Sequence, residues 1–282
     1  MKFGVNTWVW VSPLTTDEVA RLAPKIAQMG FDWFEVALEG LDDLDYATAA
    51  AILRDNGLGT SICAAMGTDR DLIHPDKAIR DNGVTYIKHC VDAVKTLGGN
   101  AVGGPLYSSV GRVWRMSADE RARDTELLVK QLRGLAEYAG DQGVMLCVEP
   151  LNRFETSFIN LATQAIEVVD RVAHPSCRVM LDTFHMNVEE SSLGDAIRAA
   201  GSRLAHFHAC ENDRGAPGSG HVPWSNVAAA LKDIQYDGPV VIESFTDKVE
   251  SISRAAAIWR QLAPSQDALA ANGLKFLKQL LS

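Results

Sequence analysis

Four short apolar runs in the second half of the chain are the strongest indication of its architecture: VMLCVE (144–149), RVMLD (178–182), LAHFH (204–208) and PVVIE (239–243). Each run has the length and the β-branched content of a buried strand. Each also ends on a glutamate, an aspartate or a histidine. Because the carboxyl ends of parallel strands meet at one edge, we expect these four end residues to lie close together.

Short apolar runs of this kind alternate with longer helical patterns along the whole chain, which predicts parallel strands with helical crossovers. The predicted strands are 3–7, 33–38, 58–64, 100–103, 144–149, 178–182, 204–208 and 240–243. Helical patterns lie between them, for example at 17–29, 118–141, 161–172 and 225–234, and glycines that end helices precede strands at Gly30, Gly57, Gly98 and Gly143.

Eight such units predict a single (β/α)8 (TIM) barrel domain spanning residues 1–282. An open doubly wound sheet is the competing arrangement. Nothing like GxGxxG follows the first strand, where a dinucleotide-binding sheet would carry it, so the closed barrel is favoured.

The composition limits the function classes. A net charge of -9 disfavours nucleic-acid binding, which relies on lysine and arginine to neutralise phosphates, so we expect a small neutral ligand. The sequence contains neither an apolar stretch long enough to span a membrane nor a secretory h-region, and we expect no membrane partner. Five cysteines, an odd number without a CxxC pair, indicate a reducing, cytoplasmic location.

The chemistry of the four strand ends favours a metal site. Glu149, Asp182, His208 and Glu243 supply three carboxylates and one imidazole, a hard ligand set that suits Mn²⁺, with Co²⁺ or Mg²⁺ able to substitute. The alternative is that each acid only caps the following helix. By the alternation of side chains along a strand, His206 lies one layer deeper than His208, where we expect it to bind a neighbouring carboxylate and orient a ligand.

Several motifs resemble those of the ketose 3-epimerases, a group within the xylose-isomerase-like barrel superfamily that includes the D-tagatose, D-allulose (psicose) and L-ribulose 3-epimerases. The motifs are VEPLNRFET (148–156), LDTFHMN (181–187), HFHACENDRG (206–215), GSGHVPW (218–224), VIESF (241–245) and GPLYSSVG (104–111). They extend from the fourth predicted strand to the eighth.

The resemblance implies that Glu149, Asp182, His208 and Glu243 bind the metal and that Glu149 and Glu243 also form the acid/base pair. Epimerisation at carbon 3 of a free ketose passes through a cis-enediolate, so one carboxylate must remove the proton on one face while the other delivers it on the opposite face. Strands five and eight lie three steps apart in an eight-strand ring, which lets two carboxylates approach from opposing sides.

The resemblance also implies the substrate contacts and the assembly. Glu155, His185 and Arg214 correspond to contacts with the oxygens at the carbonyl end of the sugar, while Trp8, Cys63 and Trp114 correspond to the pocket lining. Members of the group self-associate, so a homodimer or homotetramer is expected.

Other functions remain alternatives at this stage. An aldose–ketose or hydroxypyruvate-type isomerase would share the metal and the enediolate, and a lyase acting on an inositol derivative is a more distant possibility. A barrel endonuclease would need more than seven histidines and a basic face. A non-catalytic sugar-binding protein would not need two carboxylates beside a metal.

Overall fold

A computed structural model describes residues 1–281, and within them eight parallel strands form a closed barrel in sequence order. The strands are β1 (Lys2–Asn6), β2 (Trp33–Leu38), β3 (Gly59–Ala64), β4 (Ala101–Gly104), β5 (Met145–Val148), β6 (Cys177–Asp182), β7 (Leu204–Ala209) and β8 (Pro239–Ile242). Pairing of β8 with β1, from Lys2 opposite Pro239 to Val5 opposite Ile242, closes the ring. The predicted (β/α)8 barrel is confirmed.

Helices follow the strands and surround the barrel. They are α1 (Thr16–Met29), α2 (Tyr46–Asp55), α3 (Lys77–Leu97), α4 (Ala118–Asp141), α5 (Ala162–Val172), α6 (Thr183–Glu189), α7 (Leu193–Ala200), α8 (Trp224–Asp233), α9 (Glu250–Ala255) and α10 (Gln266–Leu281). Two single-turn 3-10 helices cover Thr7–Val9 and Gly201–Arg203. In residues 1–281, no helix combines the length and the apolar character that crossing a bilayer requires.

Local chemistry explains where the elements begin and end. The four glycines predicted to end helices all have left-handed φ angles, of 91° at Gly30, 68° at Gly57, 85° at Gly98 and 72° at Gly143, a region that glycine enters without steric cost. The first strand ends one residue earlier than predicted. Its last residue, Asn6, accepts a hydrogen bond from the backbone N–H of Trp8 at 2.9 Å, which turns the chain into a 3-10 helix.

The barrel interior is filled in layers, as the alternation of side chains along each strand predicts. Cys147 and Met180 lie two residues before the ends occupied by Glu149 and Asp182, and they pack together with Ala101 in a buried apolar cluster. This apolar layer lies beneath the polar side chains at the carboxyl ends of the strands. The mouth of the barrel therefore carries the chemistry and the deeper interior supports it.

Candidate functional site

The four residues predicted at the strand ends lie together at the mouth of the barrel. Asp182 ends β6 and pairs in register with His208 of β7, while Glu149 and Glu243 directly follow β5 and β8. Ligand atoms of Glu149, Asp182 and His208 all lie within 4.8 Å of one another. The Nδ1 atom of His208 is 3.4 Å from Oε1 of Glu243. All four side chains are buried, with at most 4% of any residue exposed.

Two atoms of this cluster lack a hydrogen-bond partner among the described residues: Oε1 of Glu149 and Nδ1 of His208. Leaving a buried carboxylate oxygen or a ring nitrogen unpaired costs on the order of 1–3 kcal/mol, and native proteins rarely do so without a reason. Three carboxylates and one imidazole facing a common centre are the ligands that a hard divalent cation takes. These residues therefore fit a bound divalent cation.

Asp182 both caps a helix and faces the four-residue cluster, two roles that the sequence analysis gave as alternatives. Its Oδ1 accepts a hydrogen bond from the backbone N–H of Phe184 at 2.7 Å and so caps α6. Its Oδ2 faces the cluster, 4.0 Å from Nδ1 of His208. Capping fixes the carboxylate plane and turns the second oxygen towards the cluster.

Arg214 supplies the positive charge in the cluster. Its Nη1 donates to Oδ2 of Asp182 at 2.5 Å and to Oε2 of Glu243 at 2.8 Å, and its guanidinium lies 4.0 Å from the ring centroid of Phe184. The backbone of Arg214 has a φ of 67°, a strained conformation for a residue with a side chain and one that often marks a functional position. The cluster thus combines three carboxyl groups with one guanidinium, and ionisation of all three carboxyls leaves it negative, which favours a cation.

The two glutamates have different electrostatic surroundings. Burial, reinforced by the negative charges of Asp182 and Glu243, raises the pKa of Glu149 well above its ordinary value. Burial also opposes the charge on Glu243, but the charges of His208 and Arg214 outweigh it and lower the pKa of Glu243. Two residues of the same type thus differ in their tendency to hold a proton, as a proton donor and a proton acceptor must.

His185, on α6, is held between two hydrogen-bond donors. The backbone N–H of Asn152 donates to its Nδ1 at 3.1 Å, and Nη2 of Arg214 lies 3.1 Å from its Nε2. Burial, together with the charge of Arg214, lowers the pKa of His185 to about 3, so the ring is neutral at neutral pH. Since a neutral imidazole has a single acceptor nitrogen, one of these two contacts is not a hydrogen bond. A ligand that draws Arg214 away would relieve this conflict.

The remaining predicted residues surround this centre at different distances. Glu155 accepts a hydrogen bond from the Asn152 side chain at 2.8 Å, which joins it to His185. Cys63 Sγ lies 3.8 Å from Oε1 of Glu243, and Trp8 packs in the same apolar cluster as Cys63. The ring of Trp114 instead stacks on Phe158, 6.3 Å between centroids, and its contacts lie within the two loops that follow β4 and β5.

Sequence reasoning missed Glu35, which lies in the middle of β2 and is completely buried. Its Oε1 is 2.5 Å from Nε2 of His208, and its Oε2 is 2.6 Å from Nε2 of His206. The contact of His206 with a carboxylate was expected, but the identity of the carboxylate was not. An acid in the apolar run WFEVAL was the available signal, because a charge is buried only when it is paired.

Comparison with known proteins gives consistent matches over nearly the whole chain. The D-psicose 3-epimerase of Agrobacterium fabrum is 36% identical over 273 residues, which cover 95% of this chain and 93% of that protein. The crystal structure of D-allulose 3-epimerase from Methylomonas sp. in complex with D-allulose superposes with a TM-score of 0.91 at 30% identity, covering 99% of this chain and 96% of the other.

A second structure, that of D-psicose 3-epimerase with D-tagatose from Clostridium cellulolyticum H10, gives a TM-score of 0.89 at 32% identity and covers 100% of both chains. The family model described as "Xylose isomerase-like TIM barrel" matches residues 23–280, a range that contains all four residues of the buried cluster. The chain therefore belongs to the xylose isomerase-like TIM barrel family.

Proposed function

We propose that this protein is a metal-dependent 3-epimerase of free ketoses of the D-tagatose, D-fructose/D-allulose and L-ribulose class. The observation that carries the proposal is the buried cluster of Glu149, Asp182, His208 and Glu243, in which two ligand-type atoms have no partner among residues 1–281. The similarity to enzymes named D-psicose 3-epimerase and L-ribulose 3-epimerase, at 36% and 30% identity, supports it.

The four residues would hold one divalent cation, and we propose Mn²⁺, with Co²⁺ or Mg²⁺ able to substitute. Carboxylate oxygens with a single imidazole suit manganese better than structural zinc, which prefers thiolates and imidazoles. Bound there, the cation would act as a Lewis acid that stabilises negative charge developing on the ketose oxygens. It would also favour the ionised form of the surrounding carboxylates.

Glu149 and Glu243 would move the proton at carbon 3. They follow strands β5 and β8, so they reach the common centre from different sides of the barrel. One carboxylate would take the proton from one face to give a cis-enediolate, and the other would return a proton to the opposite face, which inverts the carbon. The contrast between the raised pKa of Glu149 and the lowered pKa of Glu243 supports this division of roles.

Arg214, His185 and Glu155 would hold the oxygens at the carbonyl end of the sugar. Arg214 offers fixed guanidinium donors. His185 is neutral and therefore offers one donor, whose position the hydrogen bond from Asn152 to Nδ1 assigns to Nε2. Burial raises the pKa of Glu155, which favours a proton on that carboxyl and hence a further donor. Trp8, Cys63 and Trp114 would line the pocket around the sugar.

Three further properties belong to the same proposal. The chain would form a single catalytic domain over residues 1–282 and associate as a homodimer or homotetramer. It would work in the cytoplasm, where the five buried cysteines, none of which forms a disulfide within residues 1–281, would stay reduced. Sedimentation of the purified protein would measure the assembly.

The test is an assay of the Mn²⁺-loaded protein against D-fructose, D-tagatose and L-ribulose, with the products separated by chromatography. We expect the 3-epimer of at least one ketose. Glu149→Gln and Glu243→Gln should each lower turnover by about 10²–10⁴-fold, the range for a general acid or base. Glu167→Gln, an exposed glutamate on α5, serves as the matched control and should remain active. Aldose formation would instead indicate an aldose–ketose isomerase, and full activity of both variants would refute the assigned roles.

A further inference from the structure

Glu35 lies beneath the four-residue cluster, in the interior of the barrel, and it is completely buried. Four side chains surround its carboxylate. Oε1 receives a hydrogen bond from Nδ2 of Asn6 at 3.1 Å and contacts Nε2 of His208 at 2.5 Å. Oε2 receives a hydrogen bond from Oγ of Ser61 at 2.7 Å and lies 2.6 Å from Nε2 of His206.

These contacts hold Glu35 in one orientation. Asn6, Ser61 and His206 lie on β1, β3 and β7, so side chains from three strands surround the carboxylate of Glu35 on β2. Ser61 is itself fixed, because its hydroxyl oxygen accepts a hydrogen bond from Nε1 of Trp33 at 2.9 Å. Hydrogen bonds from Asn6 to Oε1 and from Ser61 to Oε2 make both oxygens of Glu35 acceptors.

The contact with Glu35 decides which nitrogen of His208 faces the cluster. A neutral imidazole can carry its proton on either nitrogen, and it ligates a cation only through the other one. Because both oxygens of Glu35 are acceptors, the proton of a cation-bound His208 belongs on Nε2. Nδ1 faces the nearest oxygens of Asp182 and Glu243, at 4.0 and 3.4 Å, and has no hydrogen-bond partner among the described residues.

We propose that Glu35 is a positioning residue that fixes the orientation and the tautomer of His208, so that Nδ1 is presented to the cation. This inference rests on the metal site proposed above. His206 lies against the second oxygen of Glu35, with its Nε2 at 2.6 Å from Oε2. A carboxylate behind a ligating histidine typically contributes 10–100-fold to metal affinity, so Glu35 acts on binding without touching the ion.

Glu35, His206 and His208 could also be read as a second metal site, since their ligand atoms cluster. The distances argue against it. Two ligands of one tetrahedral ion, each about 2.0–2.1 Å from the metal, lie roughly 3.3 Å apart. The nitrogen–oxygen separations here are 2.5 and 2.6 Å, which are hydrogen-bond lengths and leave no room for an ion between the atoms.

The first test is calorimetric titration of Mn²⁺ into the folded wild-type protein and into Glu35→Gln and Ser61→Ala. We expect Glu35→Gln to bind Mn²⁺ about 10–100-fold more weakly. Ser61→Ala is the matched control, because it removes a donor to Glu35 and leaves the contact with His208. Its affinity should fall by less than that of Glu35→Gln, because Asn6 still donates to the carboxylate and the contact with His208 remains.

The outcomes separate this inference from the proposed function. If the wild-type protein binds no Mn²⁺, the proposed metal site itself is wrong. Binding by the wild type, with equal affinity in Glu35→Gln, would overturn only the role of Glu35. Equal losses in Ser61→Ala and Glu35→Gln would also overturn it, because they would indicate general damage to the barrel interior.

A second measurement needs no variant at position 35. Nitrogen-15 NMR of the wild-type protein loaded with Zn²⁺, a diamagnetic probe, reports which nitrogen of His208 carries the proton, with the signal assigned by its loss in His208→Gln. We expect a proton on Nε2, shifted downfield by the short hydrogen bond to Glu35, and metal on Nδ1. A proton on Nδ1, or metal on Nε2, would contradict the proposal.

Discussion

Replacing Glu149 by glutamine and replacing Glu243 by glutamine should have opposite effects on stability, although the two changes are chemically identical. In the presence of a chelator, Glu149→Gln removes a carboxylate whose Oε1 has no hydrogen-bond partner among residues 1–281. Glu243→Gln removes a carboxylate that accepts a hydrogen bond from Arg214 at 2.8 Å and lies 3.4 Å from Nδ1 of His208. The first change relieves an unfavourable buried charge, whereas the second breaks a buried ion pair.

The magnitudes follow from these contacts. Glu149→Gln removes the buried negative charge but leaves a polar amide in its place, so we expect its free energy of unfolding to equal that of the wild type or to be up to about 3 kcal/mol higher. Breaking a buried ion pair costs about 3–5 kcal/mol, and we expect the lower end for Glu243→Gln, since the amide oxygen can still accept from Arg214. The predicted order of stability is Glu149→Gln, then wild type, then Glu243→Gln.

Urea denaturation at pH 7, followed by tryptophan fluorescence, measures these free energies, with Glu167→Gln as the exposed control. The pH dependence gives a second check. Burial raises the pKa of Glu149 in the folded protein, so this residue stabilises the fold at low pH and its contribution is lost as pH rises above its unfolded value near 4.5. Lowering the pH from 7.5 to 5 should therefore bring the wild type closer to Glu149→Gln. Equal destabilisation of both variants would show that Glu149 and Glu243 do not differ in their electrostatic surroundings.

Three further predictions concern the loop, the histidine and the metal. Arg112 donates to the buried Asp71 at 2.7 Å and lies 3.8 Å from the ring centroid of Trp114. Arg112→Met should therefore raise KM for the ketose with little change in kcat. Steady-state kinetics with a lowered kcat and an unchanged KM would contradict this prediction. The pKa of His185 falls from 6.5 to about 3 on folding, so the contribution of its neutral ring to stability is lost as pH falls below 6.5. Between pH 7.5 and 5.0, the free energy of unfolding of the wild type, measured with urea, should therefore fall by about 2 kcal/mol relative to that of His185→Gln. An equal pH dependence in the two proteins would indicate a charged ring. Chelation should abolish turnover and lower the Tm, and Mn²⁺ at 100 times its Kd should restore about 2.7 kcal/mol of stability; a Tm unaffected by Mn²⁺ would count against the site.

The barrel and the four strand-end residues could be predicted because both follow from local patterns. Apolar runs of strand length, ended by Glu149, Asp182, His208 and Glu243, appear directly in the sequence. Parallel strands then bring their carboxyl ends together whatever the details of packing. The alternation of side chains likewise placed His206 one layer below His208, and the structure gives it a carboxylate partner.

Glu35 could not be assigned to His208 in the same way, because the two residues face each other across the interior from β2 and β7, which are not neighbours in the barrel. Which interior layers meet depends on the stagger between strands around the closed ring, and a one-dimensional pattern does not contain that stagger. The contacts of Arg214 with Asp182 and Glu243 could not be predicted from the sequence pattern either. They depend on a left-handed backbone angle of 67° in a loop, at a residue whose type gives no sign of it.

The most direct test of the account is a crystal structure of the protein soaked with Mn²⁺, with anomalous data collected at the manganese edge. We predict one strong anomalous peak at the mouth of the barrel, about 2.0–2.3 Å from oxygens of Glu149, Asp182 and Glu243 and from Nδ1 of His208. A peak elsewhere, or a manganese ion that fewer than three of these side chains contact, would contradict the account.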